Sequence, residues 1–210
     1  MPTKSKEELV EEFRIASIQE AAMRVIARKG VAGASMQEIA DEAGIAKGTI
    51  YLYFQNQRDL LERTVDYAFS KLGTHLEAAL AGEGTHVERL ERMVRTKMQF
   101  LEGNLDLFQL YATTKFSGPP DSAQSRCDRV MRPQYQSYFA RLEAFIREAI
   151  EAGEIRPMPP QRLALFLEEG VVAVILARLG ESPPQPLEDE LRWMMDAILY
   201  GIATTTRSTC

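Results

Sequence analysis

The sequence predicts an all-α protein of about nine helices. Apolar residues recur at spacings of three and four along most of the 210 residues, and no stretch alternates with period two for long enough to form a strand. Three proline clusters, at 118–120, 156–160 and 182–186, mark joints between helices, because proline cannot continue a helix interior. The predicted helices cover residues 8–29, 36–43, 47–53, 57–81, 86–103, 105–117, 122–152, 160–180 and 187–207.

The composition predicts a cytoplasmic protein. An apolar share of 45% and a charged share of 26% are ordinary for a globular chain. No apolar run approaches the roughly 20 residues that span a bilayer, and the first residues lack the apolar core of a signal peptide. Cys127 and Cys210 lie far apart and outside any metal-ligand spacing. We therefore expect no membrane partner, no metal and no cofactor.

The charge balance excludes one class of nucleic-acid partner. The net charge is −5, and residues 1–63 alone hold nine Lys and Arg against ten Asp and Glu. A protein that coats nucleic acid without sequence preference needs a basic face. The charge therefore favours a narrow, site-specific contact with DNA, or none. The cations available for such a contact are Arg24, Arg28, Lys29, Lys47 and Arg58.

The sequence offers no catalytic constellation. His75 and His86 have no partner at metal-ligand or triad spacing, and the segment 82–84 is better interpreted as a helix end than as a phosphate loop. Glu168 and Glu169 interrupt an apolar helix, which favours one exposed and one edge position over a contact with a ligand. We predict that the protein is not an enzyme and has no catalytic residues.

Residues 35–54 carry the strongest local pattern. Ser35 and Glu38 have the spacing of a capping box, which starts a helix. Gly44 can adopt positive φ and end that helix, so that a second helix starts at Lys47. The pattern predicts a helix–turn–helix whose second helix enters a DNA major groove. An ordinary corner between two helices, with its tyrosines placed by packing, is the alternative.

The residues on either side of 35–54 favour the DNA-binding helix–turn–helix over an ordinary helical corner. An apolar helix at 18–26 precedes it, and Asn56 with Leu60 and Leu61 follow it. Residues 14–65 resemble the DNA-binding domain of the TetR (tetracycline-repressor) family of transcriptional regulators. Two positions depart from the family pattern. Ala46 replaces the usual Ser or Thr N-cap of the recognition helix, and Gln57 replaces a Lys that contacts phosphate, a role that Arg58 could take.

The resemblance implies a helix–turn–helix domain at 1–56 and a helical ligand-binding and dimerisation domain at 57–210. It implies that the partner is double-stranded operator DNA with an inverted repeat. Lys47 and Thr49 would contact base edges while Gly48 admits the backbone closely. The expected DNA-binding residues are Ser35, Lys47, Gly48, Thr49, Tyr51, Leu52 and Tyr53, with Lys29, Gln57 and Arg58 as helpers.

The last two helices are predicted to form a homodimer interface. The first of them is apolar nearly all round, so its surface must be covered by its own core or by another subunit. In the family that the chain resembles, the equivalent helices form a four-helix interface. The expected interface residues are Phe166, Gly170, Ala173, Val174, Met195, Ile198 and Ile202.

An excess of aromatic and Met residues in the middle of the chain predicts an apolar ligand pocket. Most of these side chains could equally fill a core. No Lys or Arg is evident within the apolar stripes, which favours a neutral or cationic, largely apolar aromatic inducer, rather than a phosphorylated one, that releases a repressor from DNA. The expected ligand-binding residues are Met93, Met98, Phe108, Tyr111, Tyr135, Tyr138, Phe139 and Phe166. The alternative function is an all-helical protein-interaction module without DNA binding.

Overall fold

The computed structural model describes residues 5–108, 133–178 and 181–200, and all regular secondary structure in these ranges is helical. This confirms the predicted all-α class. The described helices are α1 Lys6–Gly33, α2 Met36–Ala43, α3 Lys47–Ile50, α4 Gln57–Ala81, α5 His86–Gly103, α6 Pro133–Glu151, α7 Pro160–Arg178 and α8 Leu187–Tyr200. The predicted helices at 105–117, 122–152, 160–180 and 187–207 lie partly outside the described residues.

The helix predicted at 8–29 begins two residues too late, whereas its predicted end agrees with the break in α1 at Gly30. The helix begins earlier because Ser5 and Glu8 form a capping box that the sequence analysis missed. It extends as far as Gly33, but Gly30 interrupts it with φ of 71° and ψ of 171°. Glycine adopts this conformation at little cost, so the kink allows the chain to turn before α2.

The predicted second helix of the helix–turn–helix was too long. Regular α-helix stops at Ile50, because the backbone N–H groups of Leu52 and Tyr53 donate to the carbonyls three residues back, of Thr49 and Ile50. Such bonds tighten the last turn of a helix. The segment up to Tyr53 therefore continues as a tight helical turn.

The described residues form two compact units. The first comprises residues 5–74, 103–108 and 133–138, and the second comprises 75–102, 139–178 and 181–200. Among these residues, no helix has the length and apolar character needed to cross a membrane. No group of three His, Cys, Asp or Glu side chains in the same ranges could hold a metal ion.

The core of the first unit joins α1, α2, α3 and the start of α4. Its buried apolar side chains include Ile18, Ala22, Val25, Ile26, Met36, Ile39, Ile50, Phe54, Leu60 and Leu72. Polar contacts fix α1 against α4 at the edge of this core. Glu20 accepts hydrogen bonds from the Tyr67 hydroxyl at 2.9 Å and the Lys71 ammonium at 2.8 Å. These bonds, led by the one from Lys71, lower the pKa of Glu20.

The core of the second unit contains a buried ion pair. Lys97 of α5 and Glu168 of α7 are 3% and 4% exposed, and the ammonium lies 2.6 Å from the carboxylate. The ammonium also donates to the Glu168 carbonyl at 3.0 Å. The expectation that no Lys lies within the apolar stripes was therefore wrong, because Lys97 occurs on the buried face of α5 between Met93 and Leu101.

Candidate nucleic-acid interface

The first helix of the helix–turn–helix forms as its sequence predicts. The Glu38 N–H donates to the Ser35 hydroxyl at 3.2 Å, and the Ser35 N–H donates to the Glu38 carboxylate at 3.4 Å, which completes the capping box. Gly44 ends α2 in the left-handed conformation, with φ of 67°. The Ile45 N–H then donates to the Ala40 carbonyl at 3.0 Å. The helix α2 is therefore capped at both of its ends.

The recognition helix α3 presents its N-terminal residues to solvent. Lys47 and Gly48 are exposed and Thr49 is half-buried, while Ile50 and Phe54 anchor the segment in the core. A Cβ added at Gly48 would meet no atom within 4 Å. The open surface at Gly48 is compatible with the close approach of a nucleic-acid backbone. Ala46 makes no side-chain cap, as its residue type predicts.

The turn after α3 carries large exposed side chains. Leu52 is 78% exposed and Tyr51 is half exposed, whereas Tyr53 is partly buried. The exposed Leu52 suits contact with the methyl groups of thymine in a major groove. These placements agree with the predicted interface, whose contacts with DNA stay predictions.

Gln57 and Arg58, at the start of α4, both have partners within the chain. Gln57 stands where the family has a phosphate-binding Lys, and Arg58 could replace that Lys. The Gln57 side-chain amide donates to the Ala34 carbonyl at 3.0 Å. The Arg58 guanidinium pairs with Glu62 at 2.8 Å, and this pairing raises the pKa of Arg58. Gln57 therefore ties the start of α4 to the loop before α2. Asn56 caps α4 as predicted, accepting from the Asp59 N–H at 2.9 Å.

Arg63 of α4 is a positioning residue that the sequence analysis missed. Its guanidinium donates to the Tyr53 carbonyl at 2.8 Å and lies over the Phe54 ring. Its own carbonyl accepts from the Gln19 side chain at 2.8 Å. Arg63 thus connects the end of the recognition segment to α4 and α1. No spacing in the sequence marks this role, because the two partners lie nine and ten residues away on a turn.

The predicted dimer-interface residues occupy two different environments. Phe166 and Ala173 are exposed on α7, and Ile198 is partly exposed on α8. Val174 and Met195 are only 9% and 4% exposed and face the core of their own unit, which corrects their expected placement on the free surface. Gly170 packs under the Met194 side chain, and Ile202 lies outside the described residues.

Most of the predicted ligand-binding residues are buried, except that Phe166 is exposed. The buried set is Met93, Met98, Phe108, Tyr138 and Phe139. Burial raises the pKa of the Tyr138 phenol. The Tyr111 and Tyr135 side chains lie outside the described residues. A cavity of about 130 Å³ in the second unit has none of the predicted residues in its lining, which includes Leu90, Ile155, Met158, Leu163, Ile198 and Leu199.

Comparisons with known proteins agree with this geometry. Residues 18–64 match the model of the family described as bacterial regulatory proteins, tetR family. The fatty acid metabolism regulator protein of Bacillus subtilis is 26% identical over 155 residues, which cover 74% of this chain and 77% of that protein. An HTH-type transcriptional regulator of Haemophilus influenzae is 37% identical over 81 residues, or 39% of this chain and 43% of its own length.

Solved structures show the same fold over most of the chain. The transcriptional regulator FadR from Bacillus subtilis, crystallised with stearoyl-CoA, matches with a TM-score of 0.67 and 21% identity, covering 89% of this chain and 98% of that one. A TetR/AcrR-family regulator from Thermobifida fusca matches with a TM-score of 0.67 and 23% identity, covering 90% and 98%.

A capped first helix, a left-handed turn and an exposed second helix define the class of helix–turn–helix DNA-binding proteins. The match of residues 18–64 to the tetR family narrows this class to one family of bacterial regulatory proteins. Residues 18–64 are a DNA-binding domain of the tetR family, and the relatives support a TetR-family DNA-binding transcriptional regulator. The resemblance expected from residues 14–65 is confirmed. The curated relatives are regulators, in line with the absence of a catalytic pattern in the sequence.

Proposed function

We propose that the protein is a cytoplasmic, homodimeric repressor that binds an inverted-repeat operator and is released by a small, largely apolar ligand. The exposed N-terminus of α3 carries this proposal. Lys47 is exposed there, and no ion pair of its side chain occurs among the described residues. Its ammonium is therefore available to donate to guanine O6 and N7, while Thr49 can contact either kind of base pair.

Repression requires that α3 lies in the major groove with a fixed orientation. Phosphate contacts fix such an orientation without carrying sequence information. Ser35, Tyr51 and Tyr53 present hydroxyl groups around α3 that suit these contacts. The exposed Leu52 adds an apolar surface that favours thymine.

The exposed faces of α7 and α8 support the homodimer. Leu165, Phe166 and Leu176 are 47%, 62% and 40% exposed. The spacing of eleven residues places Leu165 and Leu176 on the same face of α7, and Phe166 lies about a quarter turn away, beside that face. Trp193 and Tyr200, seven residues apart on α8, are 53% and 81% exposed. Exposed apolar surface of this kind marks an interaction site. A second copy of the same two helices would cover it symmetrically, which matches the two-fold symmetry of an inverted repeat.

The ligand is proposed from the relatives and from the core of the second unit. The Bacillus subtilis relative is named for fatty acid metabolism, so long-chain acyl compounds are the first candidates to test. The 130 Å³ cavity is smaller than the roughly 300 Å³ of typical ligand sites. Binding in this cavity would therefore require it to widen. A ligand that binds the widened state better than the DNA-competent state weakens operator binding. The loss in the free energy of operator binding can be no larger than the difference in the ligand's binding free energy between the two states.

The experiment is a binding titration with the DNA upstream of the gene that encodes this protein, beside an unrelated duplex of equal length. The proposal expects a preference for the upstream DNA and its loss when a long-chain acyl-CoA is added. Binding without preference, or none, would favour an interaction module instead. Stabilisation of the protein by the acyl compound with unchanged DNA affinity would leave the ligand site standing and contradict the release mechanism.

A further inference from the structure

Two glutamates of α2 hold the cations along the outer edge of the helix–turn–helix. Glu42 accepts from Arg24 at 2.8 Å with one carboxylate oxygen and from Arg28 at 2.9 Å with the other. Both guanidinium groups are more than half exposed, at 54% and 56%. Bonds from Arg24 and then Arg28 lower the pKa of Glu42. The carboxylate is therefore charged at neutral pH, and its one negative charge offsets half of the positive charge of two arginines that solvent can reach.

Glu38 lies one helical turn earlier on the same face of α2 and acts on two predicted phosphate contacts at once. Its carboxylate forms an ion pair with Lys29. The same carboxylate accepts from the N–H of Ser35 at 3.4 Å and from its hydroxyl at 3.3 Å. An ammonium, a hydroxyl and a backbone N–H at a helix start are the donors that a DNA phosphate uses. Glu38 thus occupies donors that a phosphate would need.

These exposed pairs contribute little to the fold, since surface ion pairs stabilise proteins by at most about 1 kcal/mol. Their effect on DNA is of a different kind. Each carboxylate offers the cations an intramolecular partner and repels an approaching phosphate. Lys47, at the base-reading end of α3, is paired with neither glutamate.

We propose that Glu38 and Glu42 limit the affinity of this protein for the DNA backbone by competing with phosphates for Lys29, Ser35, Arg24 and Arg28. The inference rests on the DNA binding proposed above. Weak backbone contacts leave complex formation dependent on Lys47 and its neighbours on α3. They also keep the operator complex weak enough for a modest conformational preference of the ligand to release it.

The test is charge removal at constant shape. Glu38→Gln keeps the capping box, because Gln at this position bonds to the N-cap in the same way. Glu42→Gln removes the partner of both arginines. The matched control is Asp41→Asn, which removes one charge from the same helix where the carboxylate accepts from the Gln37 amide instead of a cation. Thermal unfolding verifies that all three variants are folded.

Two readouts are measured for each variant. Affinity for the upstream duplex and for the unrelated duplex should rise about threefold to tenfold at about 0.05 M salt in Glu38→Gln and Glu42→Gln, and the gain should shrink at about 0.3 M salt because exposed charges are screened. The salt needed to elute the protein from heparin should rise in parallel. Asp41→Asn should change affinity by less than about twofold at the same low salt.

The competition between Glu38 and DNA for Lys29 is tested in a protein that lacks this lysine. In Lys29→Met, the further change Glu38→Gln should raise affinity by clearly less than it does in the wild-type background, because the competed ammonium is gone and only the donors of Ser35 are released. An equal gain from Asp41→Asn, an unchanged affinity, or an undiminished gain in Lys29→Met would overturn the inference. A wild-type protein without preference for the upstream duplex would instead contradict the proposed function. The heparin elution would still decide the role of the two carboxylates.

Discussion

The guanidinium carbon of Arg63 lies 4.5 Å from the centre of the Phe54 ring, and the same guanidinium donates to the Tyr53 carbonyl. This contact joins the helix that leaves the helix–turn–helix to the last turn of the recognition segment. A cation over an aromatic ring and a charge-assisted hydrogen bond to a carbonyl act together here. The position of α3 therefore depends on the position of α4.

Arg63→Met should weaken operator binding more than it weakens the fold. The variant keeps the apolar part of the side chain but loses both polar contacts, at a cost of about 1–3 kcal/mol in stability. We expect the affinity for operator to fall further than the stability of the protein predicts, because Tyr53 is no longer held. Fluorescence anisotropy and thermal unfolding measure the two effects. Arg14→Met, at an exposed position of α1, is the control, and equal behaviour of both variants would contradict the role of Arg63.

Leu176→Arg should separate the dimer without unfolding the protomer. Leu176 is 40% exposed on the apolar face of α7, so a lone protomer tolerates an arginine there while a symmetric interface does not. Sedimentation should give a monomer with reduced operator affinity. Ala152→Arg, at an exposed turn, is the matched control. A Leu176→Arg protein that stays dimeric would place the interface elsewhere.

Substitutions of Lys97 and Glu168 should have strongly non-additive effects on the free energy of unfolding. Replacing either partner of a buried ion pair removes a close counter-charge from the other and costs about 3–5 kcal/mol. Lys97→Met and Glu168→Gln should each lower the free energy of unfolding by this order, while the double variant should lose much less than both together. Denaturant unfolding of the four proteins gives the coupling. Additive losses would show that the pair does not act as a unit.

Glu154 should contribute stability that disappears in acid. Hydrogen bonding from His86, whose ring nitrogen lies 2.7 Å away, and from two backbone N–H groups at the start of α5 lowers the pKa of Glu154 below 4.5. Its contribution is therefore present above about pH 4.5 and lost as the pH falls through the lower folded-state pKa. Glu154→Gln should flatten the fall of the thermal midpoint between about pH 5 and pH 3. An unchanged slope would contradict this role.

Local signals made the helix–turn–helix predictable from the sequence. The Ser35–Glu38 cap, the left-handed Gly44 and the cap at Asn56 depend on neighbours within four residues, and all three form as expected. The role of Arg63 was not predictable, because its partners meet it only once α4 has packed against the turn. The burial of Lys97 was predictable, because it lies four residues from both Met93 and Leu101 in the apolar stripe of α5, but its pairing with Glu168, 71 residues away, was not.

In the candidate interface, too, features set by neighbours in the sequence were predictable, and contacts between packed helices were not. Exposure of Lys47 and Gly48 follows from the register of α3, which Ile50 and Phe54 fix from below. The pairing of Lys29, Arg24 and Arg28 with glutamates of α2 depends on the angle between two helices. A sequence pattern does not specify such an angle. The sequence therefore predicted that these cations are available for contact with DNA.

Base reading by Lys47 is tested most directly on a set of operator duplexes with one half-site substituted at each base pair in turn. Wild-type protein should lose about 1–3 kcal/mol at the base pair that Lys47 contacts. In Lys47→Ala that penalty should vanish, while the penalties at the other positions persist. A Lys47→Ala protein that binds every duplex more weakly by the same factor would contradict base reading and leave Lys47 with a phosphate contact alone.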